Sequence, residues 1–164
     1  MFGVGLLIKE KNLPHNKKEG LLYGSTIAII TVLFMVILNT YINLGTISYI
    51  HIPQILKLII ILFIIAMLLE NFVVSYFVNK LNTYFVHEKD SFNARILFTI
   101  LFTVIGMSFT MTWIAPFVSS GFELSTISFN LFISNWPKNF GIVFALELLI
   151  AQPLARKLMV VIHK

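Results

Sequence analysis

Two glutamates stand where a carboxyl is least at home: Glu70 in the stretch MLLENFVVSYF and Glu147 in ALELLIAQ, each inside a long apolar run. A carboxyl in such a place has two chemistries open to it. Kept neutral, it can tie helices together through hydrogen bonds; able to give up its proton, it can handle protons or a substrate. Each glutamate lies about ten residues from the end of its run, some 15 Å deep at about 1.5 Å per residue, too deep for its side chain to reach water directly. On a helical wheel Glu70 shares its row with Phe63, Ala66, Met67, Val73, Val74 and Phe77, and Glu147 with Phe140, Val143, Phe144, Ile150, Ala151 and Leu154. Neither row holds a basic partner. Insertion scales place an acidic residue at mid-span at about +2.5 to +3.5 kcal/mol, so both are expected inside a helix bundle and mainly protonated at neutral pH. At the same depth Thr31, Thr103 and Ser108 offer hydrogen-bond partners, and with Glu70 and Glu147 they form a candidate intramembrane polar or proton site. Interhelical bonding, proton or substrate handling, and contacts between subunits are all open to it.

Other chemistry is sparse. The absence of cysteine removes disulfides, thiolate catalysis and Cys-ligated metal together. His15, His51, His87 and His163 fall in four different loops or ends with no pair at helical spacing, which argues against a metal site. No Gly-x-Ser-x-Gly, Walker loop or His-Glu-x-x-His occurs, and Gly3-Val4-Gly5 follows no strand. Neither enzymatic activity nor a cofactor is expected. The hydroxyls of Ser25, Thr26, Thr31, Thr99, Thr103, Ser108, Thr110 and Thr112 suit close helix approach and cross-helix bonds.

The elements that must position the glutamates follow from composition. The 164 residues are 58% hydrophobic and 12% charged, with a mean hydropathy of +0.91. A soluble domain of this size could not bury that much apolar surface, so lipid is the expected solvent and the cell membrane the expected location. A net charge of +5 could suggest nucleic acid. The basic residues, however, lie in short clusters between uncharged stretches, which is the positive-inside pattern of a membrane protein. Apolar runs at about 21–44, 56–79, 96–118 and 136–161 lack strand alternation and read as four transmembrane helices, with Pro116 expected to end the third. Residues 1–20 read as a cytoplasmic tail and 82–95 as a cytoplasmic loop, the first span being retained as a signal anchor. Lys9, Lys11, Lys17, Lys18, Lys80, Lys89, Arg95, Arg156, Lys157 and Lys164 fall on one side, against Lys57 and Lys138 on the other. Both termini are therefore expected in the cytoplasm. Trp113 and Trp136 then fall at the outer interface, Tyr23 and Tyr84 at the inner one.

The chain reads as one helical hairpin used twice, 21–81 and 96–164. Met35 and Thr40 recur as Met107 and Thr112; Thr46-Ile47-Ser48-Tyr49 recurs as Thr126-Ile127-Ser128-Phe129; Glu70, Lys80 and Leu81 recur as Glu147, Lys157 and Leu158. Each unit has an even number of spans, so the two are expected as parallel repeats about an axis along the membrane normal. The fold class is an all-α membrane protein of four transmembrane helices as two tandem two-helix repeats.

The stretches NKKEGLLYG, MVILNTYINLG and NWPKNFGIVFALELLIAQPLARKLM resemble the bacterial membrane family known as domain of unknown function 2798. Met35, Thr40, Asn43 and Gly45 fit the first helix of its unit, and Trp136, Pro153 and Arg156 the second. The resemblance covers about residues 16–162 and implies two tandem copies and a fold, with no activity. Ala115 stands where the second unit would have its Asn, and Tyr76 and Asn79 replace the Pro and Arg in the first. Two function classes stay open. One is a small transporter or exporter subunit with Glu70 and Glu147 facing each other; the other is a partner-binding or structural membrane factor in which they make interhelical hydrogen bonds. The lipid bilayer is the one partner expected, and nucleic acid is not. Four helices make a thin wall, so transport would call for a homo-oligomer of at least two copies.

The charge pattern predicts that single cysteines introduced at Ser48, Glu88 and Ser128 of this cysteine-free chain label from outside only at the first and third. External labelling at position 88 would overturn the topology.

Overall fold

The computed structural model describes residues 16–87 and 90–162. Most of the expected tail (1–15), with His15, therefore lies outside the described residues, as do Glu88, Lys89, His163 and Lys164. Among the described residues all regular structure is helical.

Helix α1 spans Lys17–Leu44 and so takes in residues 17–20, expected as tail. Its start is set by Asn16, whose side-chain oxygen accepts from the Glu19 backbone N–H at 2.9 Å. Gly45, with φ 71°, ends it through an N–H bond to the Tyr41 carbonyl. A 3₁₀ turn, Tyr49–His51, leads into α2, residues 52–85. This second helix is α-helical over Ile52–Leu69, π-helical over Glu70–Val74 and α-helical again over Ser75–Phe85. Helix α3 spans Phe92–Ser119, its start capped by the Ser91 hydroxyl. Pro116 lies within α3 and does not end it: its carbonyl accepts from the Ser120 N–H at 3.0 Å, and the turn carries on. The stop comes at Gly121 and Phe122, both with positive φ. Phe122 donates its N–H to the Phe117 carbonyl at 2.8 Å, and its ring packs on that of Phe117 at 5.3 Å, which offsets the strained backbone.

Helix α4, residues 129–162, repeats the plan of α2: Phe129–Leu146 is α-helical, Glu147–Ala151 π-helical and Gln152–Ile162 α-helical. It begins seven residues before the expected 136 because Pro137 is accommodated inside the helix. Three helices are long and apolar enough to cross a membrane, over Lys18–Leu44, Tyr49–Phe85 and Asn93–Ser119. Helix α4 is as long as α2 but is interrupted by Asn135, Lys138, Asn139, Glu147, Gln152, Arg156 and Lys157.

The four helices form a ring in chain order. Helix α1 packs along α2, α2 on α3, α3 on α4, and α4 returns to α1. That last contact is made chiefly by residues 147–162, at the end of the bundle where the chain begins and ends, and the halves nearer the interhelical loops stand apart.

Burial inside the ring follows a row with a step of four. Buried residues are Ala28, Val32 and Val36 on α1; Ile100, Val104, Ser108 and Thr112 on α3; Leu62, Ala66, Val74 and Val78 on α2; and Val143, Glu147, Ala151, Ala155 and Met159 on α4. With 3.6 residues per turn, a row with a step of four rotates about 40° at each step and soon leaves the interior. In α2 and α4 the π turn, which takes one residue more per hydrogen-bonded ring, cancels that drift. Both π turns open on a glutamate, and they are 77 residues apart. Pro153 follows the second by two residues, but Tyr76 stands in the corresponding place in α2, where the π turn forms all the same. Proline is therefore not its cause; the inward row is what the two helices share.

Helix α3 meets the first π turn at Gly106, where an added β-carbon would stand 3.1 Å from Cγ1 of the buried Val74. Gly106→Leu should overpack this contact and cost roughly 1–3 kcal/mol. Gly20→Ala, with nothing within 4 Å, should be neutral or stabilising by up to about 1 kcal/mol. Thermal unfolding of both variants in one detergent checks the contrast; equal stabilities would refute the close approach.

Candidate functional site

The ring encloses a cavity of about 660 Å³ that follows α1 from Gly20 to Asn43. Its wall comes from all four helices of one chain, so the cavity is not built between copies. Both glutamates line it. Glu70 opens the π turn of α2 and lays its carboxyl against Gly24 of α1, where an added β-carbon would stand 3.3 Å from Oε1. Glu147 opens the π turn of α4 and is 5% exposed. The two are close enough for their charges to interact through space. Among the described residues neither carboxyl has a hydrogen-bond or ion-pair partner.

Thr31, Thr103 and Ser108 also line the cavity, but their bonds go elsewhere. Thr103 donates to the Thr99 carbonyl at 2.8 Å. Ser108 accepts from the Trp136 indole N–H at 3.2 Å and donates to the Ile105 carbonyl at 3.3 Å. The Thr31 hydroxyl is buried with no partner. The expected match in depth is off by about two turns for Thr31. Glu70 meets Gly24, and Thr31 lies seven residues, roughly 10 Å, farther along α1. Ser108 is level with Trp136, eleven residues before Glu147. Depth counted from the ends of apolar runs misaligns antiparallel helices, because α1 starts before its run and α2 extends past its own to Phe85.

Three further residues at the glutamates' end of the cavity escaped sequence reasoning. The Tyr23 hydroxyl donates to Oε1 of Gln152, joining α1 to α4. The Arg156 guanidinium neighbours the same phenol, and Gln152 is 9% exposed. Tyr23, expected at the inner membrane interface, thus points into the ring. Gln152 lies five residues after Glu147, on the far side of an ideal wheel; the π turn brings it back toward the interior. The step-of-four row in the sequence was the signal for this.

The two tryptophans, expected at the outer interface, pack between α3 and α4. The Trp113 ring stacks on Phe132 with centroids 4.6 Å apart, and Trp136 stacks on the same ring at 5.8 Å. Asn139 donates to the Thr112 hydroxyl at 3.1 Å in the same layer. Among the described histidines, His51 accepts from the Ser48 N–H at the start of α2, while His87 lies beyond its other end.

The Tyr23–Gln152 bond is the polar tie that closes one end of the ring. Cross-helix bonds in membrane proteins average about 0.6 kcal/mol. A double-mutant cycle with Tyr23→Phe and Gln152→Leu should return a coupling of roughly 0.5–2 kcal/mol. A coupling of zero within error would mean the pair does not hold the end shut.

Residues 91–163 match the model of a family described as a domain of unknown function, number 2798. The match takes in α3 and α4, with Glu147, Gln152, Pro153 and Arg156; it occurs once, and α1 and α2 lie outside it. No curated protein and no solved structure matches the chain.

Proposed function

We propose that the chain is a four-span protein of the cell membrane, built from two copies of one helical hairpin with both termini cytoplasmic. In this reading its cavity is a proton-linked transport site, of a small transporter or of an exporter's membrane subunit, and catalyses no covalent chemistry. One observation carries the reading: two carboxyls on different helices face one cavity, and among the described residues neither is bonded. Interhelical bonding, the structural alternative, would engage those carboxyls; the Thr103 and Ser108 hydroxyls bond instead to backbone carbonyls or to Trp136, and that of Thr31 is unbonded.

The duplication draws support from burial. Ala28, Val32 and Val36 correspond to Ile100, Val104 and Ser108 at an offset of 72, and Ala66, Val74 and Val78 to Val143, Ala151 and Ala155 at 77. The π turns keep the latter offset. The fourth span draws support from the placing of its charges. Lys138 and the Arg156-Lys157 pair lie toward opposite ends of α4, with Glu147 the acid between them. A transport site needs access that alternates between its two ends. The Tyr23–Gln152 bond closes one end, and the looser α1–α4 contact leaves the other less constrained.

Infrared spectroscopy of the reconstituted protein tests the proton link without any substrate. The protonated-carboxyl band should shift within minutes of transfer to D₂O and should lose intensity in steps with Glu70→Gln and Glu147→Gln, both variants remaining folded. Exchange as slow as that of the helix-core amides would mean sealed carboxyls, and the structural alternative would replace this reading.

A further inference from the structure

We propose that the cavity binds a lipophilic organic cation, of the quaternary ammonium or phosphonium class, in exchange for one proton from the Glu70–Glu147 pair. The inference rests on the proton-linked reading and adds to it the substrate's charge and character.

The charges around the pair set the sign. Helix α2 contributes Glu70 to the wall, α1 contributes Tyr23, and α3 contributes hydroxyls and apolar groups. On α4 the basic residues stand nine positions away on either side of Glu147. Lys138 lies roughly 13 Å toward the loop end, and Arg156 lies an equal rise the other way, beside Tyr23. The acidic part of the cavity therefore lies toward its Gly20 end, between Arg156 there and Lys138 toward the loops. Glu147 is 5% exposed and unpartnered among the described residues, a polar group set in the cavity wall with its bonding capacity unspent. Charge balance also favours a monocation. The neutral pair plus one cation, less one proton, leaves one carboxylate beside the cation and one neutral acid. The site's net charge is zero before and after, which avoids burying an uncompensated charge.

Lining and size set the character. A small hard cation wants six or more oxygen ligands converging on one point, whereas the Ser, Thr and Asn side chains of the wall are interspersed with Met35, Met107, Met111 and Trp113. A large, weakly hydrated cation loses little on leaving water and gains from aromatic faces. The Trp113 ring lines the cavity on the loop side of the carboxyls. A volume of about 660 Å³ suits a drug-sized molecule.

Titration of the purified full-length chain with tetraphenylphosphonium, followed by tryptophan fluorescence and by proton release in weak buffer, tests this. Binding should saturate, release one proton per cation at the acid end, and strengthen about tenfold per pH unit where the pair is protonated. The Glu70→Gln/Glu147→Gln double variant should bind at least about tenfold more weakly and without pH dependence, and Glu147→Asp should retain both features. Tetraphenylborate, of the same shape and opposite charge, should not saturate. The proposal is overturned if tetraphenylphosphonium fails to saturate, if its binding survives in the double variant, or if tetraphenylborate binds as well. Should the double variant not fold, proton release by the wild type decides alone. Rapid deuterium exchange of the carboxyls without cation binding would leave the proton-linked reading standing and remove only this substrate class; slow exchange would remove both.

Discussion

Everything about the interior depends on a mismatch between a step of four residues and a helix of 3.6 residues per turn. Small or apolar residues recur at every fourth position on the inner faces of all four helices. An unmodified α-helix keeps such a row inward over the three or four positions used in α1 and α3, but not over the longer rows of α2 and α4. Helices α2 and α4 resolve the conflict with one π turn each, at the residue where a glutamate enters the row. The same device that preserves the packing also turns Gln152 toward the interior and brings α4 against Tyr23. Packing and polar chemistry are thus consequences of one constraint, and a π turn at a polar site is a common sign of function.

Close approach then does for the carboxyls what hydrogen bonds were expected to do. Gly24 leaves room for the Glu70 side chain, and Gly106 lets α3 settle on Val74 within the π turn. With backbones this near, the ring closes around the glutamates without a donor for either one among the described residues. A buried polar group with no partner is costly, and that cost is tolerated where the group must remain available. Cross-helix polar bonds at the cavity join Tyr23 to Gln152 at one end, and Trp136 to Ser108 and Asn139 to Thr112 toward the other. They brace the ring and leave both carboxyls unengaged.

Much of this was legible in the sequence. The two glutamates, the helical class and the offset that relates Glu70 to Glu147 all follow from residue types and spacing. Helix ends and register did not follow, for a physical reason. Hydropathy records which residues tolerate lipid, whereas an end is decided by capping groups such as Asn16, Ser91 and Gly45 and by the positive φ at Gly121 and Phe122. Pro116 and Pro137 look like stops and are absorbed within helices. Thr31 was aligned with Glu70 by counting inward from the ends of apolar runs, while register is set by contacts such as Gly24 against Glu70. The tryptophans carried an interfacial signal, and their stacking on either side of Phe132 was not legible in it.

The two hairpins are alike in plan and unlike in detail, and the difference bears on how the pair can work. Around Glu147 stand Gln152, Pro153 and Arg156; the corresponding positions after Glu70 are Ser75, Tyr76 and Asn79. Ser75 bonds to the Asn71 carbonyl of its own helix at 2.7 Å, whereas Gln152 reaches across to α1. Glu147 is the more deeply buried carboxyl; Glu70 is only partly covered and rests against a glycine. Two equivalent acids would compete for the same proton with no preference between them. Two inequivalent ones have an order, in which one carboxyl changes charge while the other stays neutral beside it. The divergence of the second helix of each hairpin therefore makes the two carboxyls inequivalent in burial and in neighbours.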